Sequence, residues 1–504
     1  SFVPTQPFLP GESVTVSTSL NILKAAHFGI FHFNIASPAT FPPYGGWIRA
    51  PRVPGDVWGF HSQLNFSPAA VTVSRRFGGG GSADIFLTPQ YGPVQNGPEI
   101  VSPSGRLIWF DPVPQGDMAS DFEVQQYHGQ PVLTWWQGYS TQALGSGVDE
   151  IYNTAYQPVA AVHAGNGLSA DIHEFQITPH GTALISAYFP VYWNASAAHG
   201  SSHQIVYDCV LQEIDIPTGL VLYQWDSLDH VPVTGSETGP THNGGAWDYF
   251  HLNSIQLDHD GNLLISARNT WAAYKVDHRT GAVLWSLGGK WSNFRMEPGA
   301  SFAFQHDVED QSSSDSWLTV FDDGAGRPDV HSQSRGLNLW LSFRNHTAWV
   351  GSQWLHSPSL LADFEGNVQQ LATAFHLVGW GEEPYFTEYD RRGRVILDGH
   401  FVSQTSSYRA YRFAWSATPS TPPALVGSAS GGTMTLYASW NGATNVASWR
   451  LLGGASATAL QAITTVPDSS FETTLTAPQQ AYAEVQALDS SGHVLGTSAP
   501  VSVG

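Results

Sequence analysis

Three histidines occupy the same place in three successive stretches of the chain: His173 in "DIHEFQITPHGTALISAY", His251 in "DYFHLNSIQLDHDGNLLISAR" and His306 in "FQHDVEDQSSSDSWLTVF". Each precedes a polar turn and a β-rich run, and their spacings are 78 and 55 residues (251 − 173 and 306 − 251). If the three segments are equivalent innermost strands of a repeat fold, their starts converge and three imidazoles meet in one pocket. A neutral imidazole there can act as nucleophile or as proton carrier. Arg268 closes the apolar run "LISAR" where the preceding repeat has Tyr188 in "LISAY", and Asn253 lies one strand step beyond His251. The planar fork of an arginine binds two oxygens of an anion at once. In a chain with 20 Lys and Arg against 41 Asp and Glu, a cation spent at the end of a buried strand points to a local anion clamp.

Competing chemistries have weaker support. Three histidines can hold a catalytic zinc, but "HEFQI" lacks the second histidine of H-E-x-x-H and Arg268 repels a cation, so neither metal nor other cofactor is expected. No G-x-S-x-G elbow is present, nor a G-x-G-x-x-G loop after a strand, and Cys209 in "IVYDCVLQEID" reads as core. Asp307, Glu309, Asp322, Asp323, Glu382 and Glu383 contain possible glycosidase pairs, although loop acids are ordinarily solvated. Most of the 21 histidines should likewise be solvated or structural.

The elements that position these residues follow from composition and turns. With 50 Gly, 32 Pro, 19 Trp, 18 Tyr and 26 Phe but only 12% charged residues, the chain is expected to be all-β, built of short strands and tight turns. "DIPTGLVLYQW" and "DHRTGAVLWSL" align on Gly219 and Gly281, and "SPSGRLIWF" and "DRRGRVILDG" share the glycine and the run after it. A second unit recurs in "HGQPVLTWW", "HGTALISAY", "DGNLLISAR" and "SDSWLTVFDD". The two interleave as the outer and inner hairpins of propeller blades would. Five or six repeats fit between residues 82 and 417, within the usual range of about 4–8 blades, and six are expected. A β-sandwich array or solenoid is the alternative.

Residues 1–81 read as an N-terminal β-rich extension whose "RRFGGGGS" is a flexible joint, not a phosphate loop. "SATPSTPP" at 416–423 reads as a stiff linker to a small immunoglobulin or fibronectin III-like β-sandwich over 424–504. The net charge of −21 disfavours nucleic acid and anionic membrane as partners. Cys209 is the lone cysteine, so an intrachain disulfide is excluded. Sequons at Asn65, Asn194 and Asn345, together with a start at Ser1 as in a processed product, make a secreted, extracellular glycoprotein the expected form, and no apolar run approaches the ~20 residues of a membrane helix.

The run from "DYFHLNSIQLDHDGNLLISAR" through "NTWAAYKVDHRTGAVLWSLGGKWSNF", followed by "FAFQHDVE" and "LTVFDDGAG", closely resembles the arylsulfotransferase (arylsulfate sulfotransferase) propeller family, in its secreted fungal and actinobacterial type. The likeness covers residues 82 to 417 and extends into the C-terminal sandwich. It implies a six-bladed propeller that transfers a sulfuryl group from a phenolic sulfate to a phenol without a nucleotide donor. It further implies that His306 is the transiently sulfated nucleophile, supported by His251, Asn253, Arg268 and His173. The chain departs from the family in reading Asp322-Asp323 where members usually show Asp-Asn.

Two other functions are compatible with these residues. A polysaccharide lyase or hydrolase on acidic glycans would use Arg268 against a uronate, a His or Tyr188 as base, and Trp135, Trp136, Trp247 and Tyr249 as sugar platforms. A non-catalytic glycan-binding propeller would fit the appended sandwich. The expected substrate contacts are therefore Asn253, Tyr188, Trp247 and Tyr249, and the partner is a small phenolic or sulfated molecule or an acidic glycan.

Overall fold

A computed structural model describes residues 4–9, 11–19, 29–35, 53–75, 81–141, 144–242, 245–326, 328–371, 374–402 and 405–503. Among them the chain is all-β, and its longest helix is the four-residue Ser227–His230. The glycine joint expected at 78–81 lies mostly outside the described residues.

Six sheets of four or five strands follow one another between residues 71 and 413, antiparallel except where Arg295–Met296 pairs in parallel with Thr347–Trp354. Their first strands are Met118–Tyr127, Phe175–Ile177, Leu252–Leu257, His306–Asp310, Asn367–Leu371 and Ser406–Phe413. Each touches the first strand of the next sheet, and Ser406–Phe413 returns to touch Met118–Tyr127. The sixth sheet is made from both directions of the chain: Ser406–Phe413 pairs with Asp84–Gln90, which continues to Glu99–Val101 and Leu107–Phe110. Val71–Arg75, from the segment read as an N-terminal extension, adds a fifth strand to the fifth sheet by pairing with Val395–Phe401.

The turn glycines account for this regularity. Gly219, Gly281, Gly105 and Gly393 all sit between the third and fourth strands of their sheets, whereas Gly129, Gly181 and Gly261 sit between the first and second. The two repeated units are thus the outer and inner hairpins. Gly181 and Gly261 share a φ of +78°, the left-handed conformation that glycine adopts without steric cost. The second strand Leu263–Ala267 is buried along its whole length, which explains its unbroken apolar run.

The C-terminal region forms two further sheets. One contains Ala424–Ser430, Thr433–Ser439 and Glu472–Pro478; the other is built on Ser448–Gly454 and Tyr482–Leu488. A separate apolar core drawn from both includes Leu436, Trp449, Leu475 and Val485. More than the 416–423 stretch joins this unit to the rest. Phe471 packs on Phe60 with centroids 4.4 Å apart, His61 stacks on Tyr437 at 3.7 Å, and the Asn441 side chain bonds both the N–H and the C=O of Phe110. Among the described residues, no helix is long and apolar enough to cross a membrane.

Candidate active site

The starts of the first strands carry the histidines. His251 immediately precedes Leu252–Leu257, His306 opens His306–Asp310, and His173 lies two residues before Phe175–Ile177. All three line one cavity of about 310 Å³, together with Arg268, Asp248, Asn269, Tyr91, Ile172, Phe364, Glu365 and Tyr408. The His173 and His251 rings meet edge to face at 4.7 Å. The volume suits a small ligand, and the Phe364 ring, 6.2 Å from that of Tyr91, offers it an aromatic wall.

Each histidine has a carboxylate against Nδ1: Asp171 for His173, Asp248 for His251, and Asp323 for His306 at 2.9 Å. A ring nitrogen facing a carboxylate carries the proton, which leaves Nε2 as the lone-pair nitrogen. His306 has independent support for this tautomer, because the backbone N–H of Glu365 donates to its Nε2 at 3.3 Å. Burial, reinforced by the Arg268 guanidinium and then the other two histidines, pushes His306 well below its ordinary pKa. Its imidazole is therefore neutral at neutral pH. Burial also lowers His251, against the pull of Asp248, which favours its neutral ring. Burial raises the Asp323 carboxyl well above the usual range, with Arg268 acting against it.

Arg268 begins a short turn after Leu263–Ala267, and its backbone N–H donates to the C=O of His251, which locks the two side by side. Nη1 donates to Asn269 Oδ1 at 3.0 Å and Nη2 to the Asp363 carbonyl at 2.6 Å, while the guanidinium lies 4.7 Å over the Phe304 ring. Two hydrogen bonds leave further N–H groups of the fork for a ligand. His251, Tyr91 and Glu365 hold φ values of +59°, +62° and +69°. Such strain in non-glycine residues concentrates at sites of function.

The other expected contacts are placed differently. Asn253 is fully buried and its Nδ2 donates to the Gln305 carbonyl at 2.7 Å, so it ties the third sheet to the residue before His306 and does not line the cavity. Tyr188 lies beside His173 and His251, with ring centroids 5.9 Å away, but its hydroxyl is committed to the Leu252 carbonyl. Trp247 and Tyr249 belong to the apolar core of the second and third sheets, with their polar atoms on Thr238 and the Val231 carbonyl. Trp135 and Trp136 are core residues too. These aromatic residues reach the core because both faces of a sheet packed between neighbours are apolar, a feature that single-strand patterns do not separate from a ligand platform.

Sequence reasoning passed over several lining and supporting residues. Asp171 and Asp248 stand two and three residues before their histidines, a local pattern open to reading. Asp323, which the sequence offers only as a possible glycosidase acid, follows Trp317–Asp322, whose Phe321 pairs with His306, so its place beside that ring depends on register. Tyr91 follows Asp84–Gln90, Phe364 and Glu365 precede Asn367–Leu371, Tyr408 lies in Ser406–Phe413, and none of the four carries a motif. Beneath the cavity, Arg409 donates to Asp121, Glu174 and the Asn253 carbonyl at 2.7, 3.0 and 3.0 Å, and lies 3.7 Å from Asp307.

Two carboxylate groups have the spacing of cation ligands: Asp258, His259, Asp310 and Asp315, and Asp121, Glu123 and Glu174. Lys275 is paired with Asp258 and Asp315 in the first, and Arg409 with Asp121 and Glu174 in the second.

Comparison with known proteins places the chain. No curated protein matches it. Solved structures with similarity include a protein of unknown function from Bacteroides caccae (12% identity, 66% of this chain and 99% of that one, TM-score 0.41) and the periplasmic gluconolactonase of Pseudomonas aeruginosa (11%, 84% and 97%, 0.33). A catalytically inactive virginiamycin B lyase from Staphylococcus aureus is also similar (8%, 73% and 95%, 0.30). Residues 123–402, more than half of the sequence, match the family Arylsulfotransferase (ASST). That span contains His173, His251, Arg268, His306, Asp323 and Glu365, and the chain is a member of the arylsulfotransferase family.

Proposed function

We propose that the protein transfers a sulfuryl group from a phenolic sulfate to a phenolic acceptor through a sulfohistidine at His306, on a six-bladed propeller formed by the six sheets. The observation that carries this reading is the neutral His306 ring, its Nδ1 held by buried Asp323 and its Nε2 set in the cavity that Arg268, His251 and His173 share. Nε2 attacks sulfur and the S–O bond to the donor phenol breaks; the acceptor then attacks the same sulfur and the S–N bond returns its electrons to Nε2. Covalent transfer of this kind divides one displacement into two. Asp323 stabilises the positive charge that sulfation places on the ring. The remaining N–H groups of Arg268 hold non-bridging oxygens in a buried site where such contacts are strong. Phe364 and Tyr91 supply the apolar walls for the phenyl ring.

The C-terminal sheets fit an immunoglobulin or fibronectin III-like sandwich. Asn65, Asn194 and Asn345 are all exposed, which suits a secreted glycoprotein. The glycan reading loses its platforms to the core, since neither Trp247 nor Tyr249 lines the cavity.

The test is incubation with 4-nitrophenyl sulfate and a phenol, followed by intact-mass measurement of the protein. A gain of one SO3 on wild type, its absence in His306→Ala, and loss of transfer in that variant are expected. A wild type that neither transfers nor gains mass refutes the assignment.

A further inference from the structure

Sulfuryl transfer requires a proton to reach the departing phenolate and another to leave the acceptor. The cavity offers few carriers. His306 is the nucleophile; burial lowers His251, whose Nδ1 faces Asp248, so its Nε2 presents a lone pair, and Nδ1 of His173 is held by Asp171. The Tyr408 hydroxyl donates to the His173 carbonyl and is taken. Arg268 is a permanent cation.

Glu365 is different. It lines the cavity, and its backbone N–H contacts Nε2 of His306, the atom that would bond to sulfur. Its Oε1 accepts from Gln90 Nε2 at 2.7 Å and Tyr91 Oη at 3.1 Å, while Oε2 is buried and has no hydrogen-bond partner. A buried carboxyl oxygen left without a donor is costly when charged and is the natural place for a proton. Both Glu365 and Tyr91 are held in left-handed backbone conformations, so the fold retains this pair against steric strain.

We propose that Glu365 is the proton carrier of the transfer, acting as acid toward the donor phenol and as base toward the acceptor, with Tyr91 and Gln90 holding its carboxyl in place. The proposal rests on the sulfuryl-transfer reading of the cavity. In the first half, Nε2 bonds to sulfur, the S–O bond breaks, and the electron pair left on the phenolate oxygen takes the Glu365 proton. Phenol, sulfated His306 and a Glu365 carboxylate result. In the second half, the acceptor hydroxyl gives its proton to that carboxylate as its oxygen bonds to sulfur and the S–N bond breaks. The cycle ends with neutral His306 and protonated Glu365, so one proton is stored and returned. Burial, opposed by Tyr91 and Gln90 and reinforced by Glu382, places the Glu365 carboxyl at about 8, so it is protonated at neutral pH. Asp323 and Tyr408 also lie within its field.

The experiment compares phenyl sulfate with 4-nitrophenyl sulfate, whose leaving group needs little protonation, in wild type, Glu365→Gln and Tyr91→Phe. Glu365→Gln should lose about 10²–10⁴ in kcat/KM on phenyl sulfate and far less in loading by 4-nitrophenyl sulfate. Wild-type kcat/KM on phenyl sulfate should fall as pH rises past about 8, and Glu365→Gln should lack that limb. Tyr91→Phe removes a hydrogen bond that lowers the Glu365 pKa, so the limb should move to higher pH. Equal losses on the two donors in Glu365→Gln, or an unmoved limb in Tyr91→Phe, overturn the proton role while leaving His306 in place. A wild type that transfers from neither donor and gains no SO3 overturns the reading of the cavity and this proposal with it.

Discussion

Replacing Asp323 separates the electrostatic from the geometric part of His306 activation. Asp323 accepts from Nδ1 at 2.9 Å and is fully buried; burial favours its neutral carboxyl, while the Arg268 guanidinium and the positive ring formed on transfer favour the carboxylate. In the proposed transfer, sulfation turns the ring into a cation, so the hydrogen bond becomes charge-assisted at the transition state. Such bonds contribute about 1.5–3 kcal/mol, against about 1 kcal/mol for neutral pairs. Asp323→Asn keeps an acceptor oxygen and loses the charge, the arrangement implied by the Asp-Asn pair usual in the resembling family. The difference of roughly 1–1.5 kcal/mol predicts about tenfold slower loading. Asp323→Ala removes the whole bond and leaves a buried N–H without partner, at a further cost of about 1–3 kcal/mol, so loading should slow by at least about 10²-fold. Single-turnover release of 4-nitrophenol, with the adduct followed by mass, measures both. The order wild type, Asn, Ala is the prediction. Loading of Asp323→Ala at the wild-type rate would refute the claim that this contact activates the nucleophile.

Two further outcomes follow from buried charges. Arg409→Met leaves Asp121, Glu174 and Asp307 without their cation, and breaking a buried pair in this way costs about 3–5 kcal/mol. Denaturant unfolding should show a loss of that size, and a change below about 1 kcal/mol would show that the cluster is solvated or already neutral. Glu309 and Glu365 are raised by burial from 4.5 to about 8. Folding favours their protonated forms, so that stability is complete below about pH 4.5 and is lost as pH rises through about 8. Tm should therefore be higher at pH 5 than at pH 8.5, and an equal or higher Tm at pH 8.5 contradicts the burial of these acids.

Much of this arrangement can be read from spacing, because repeats expose themselves. Glycines with positive φ recur at the same hairpins, so Gly219 and Gly281 mark equivalent turns, and equivalence places His173, His251 and His306 at corresponding strand starts. What resists reading is whatever depends on closure. Tyr91 and Tyr408 come from opposite ends of the sheet region, at positions 317 residues apart (408 − 91), and meet through the pairing of Ser406–Phe413 with Asp84–Gln90. Arg409, in the same strand, carries no sequence motif, and its partners Asp121, Glu174 and the Asn253 carbonyl lie in or beside strands of three other sheets. Trp247 and Tyr249 show the opposite failure. Aromatic residues next to a candidate histidine suggest a ligand platform, yet the second and third sheets use them as packing.

The composite sixth sheet has a consequence for biogenesis. A nascent chain can zip the first five sheets largely in order, but Asp84–Gln90 has no inner partner until residues 406–413 emerge. Long-range pairing of this kind is slow. Until it occurs, the Tyr91 and Tyr408 sides of the cavity stand apart, and Arg409 is absent from the carboxylates it neutralises. Chains halted before residue 406 should therefore lack a complete cavity whatever their secondary structure, and any turnover in a pulse-chase of synthesis should lag strand formation, reporting the last seam of the fold instead of its bulk.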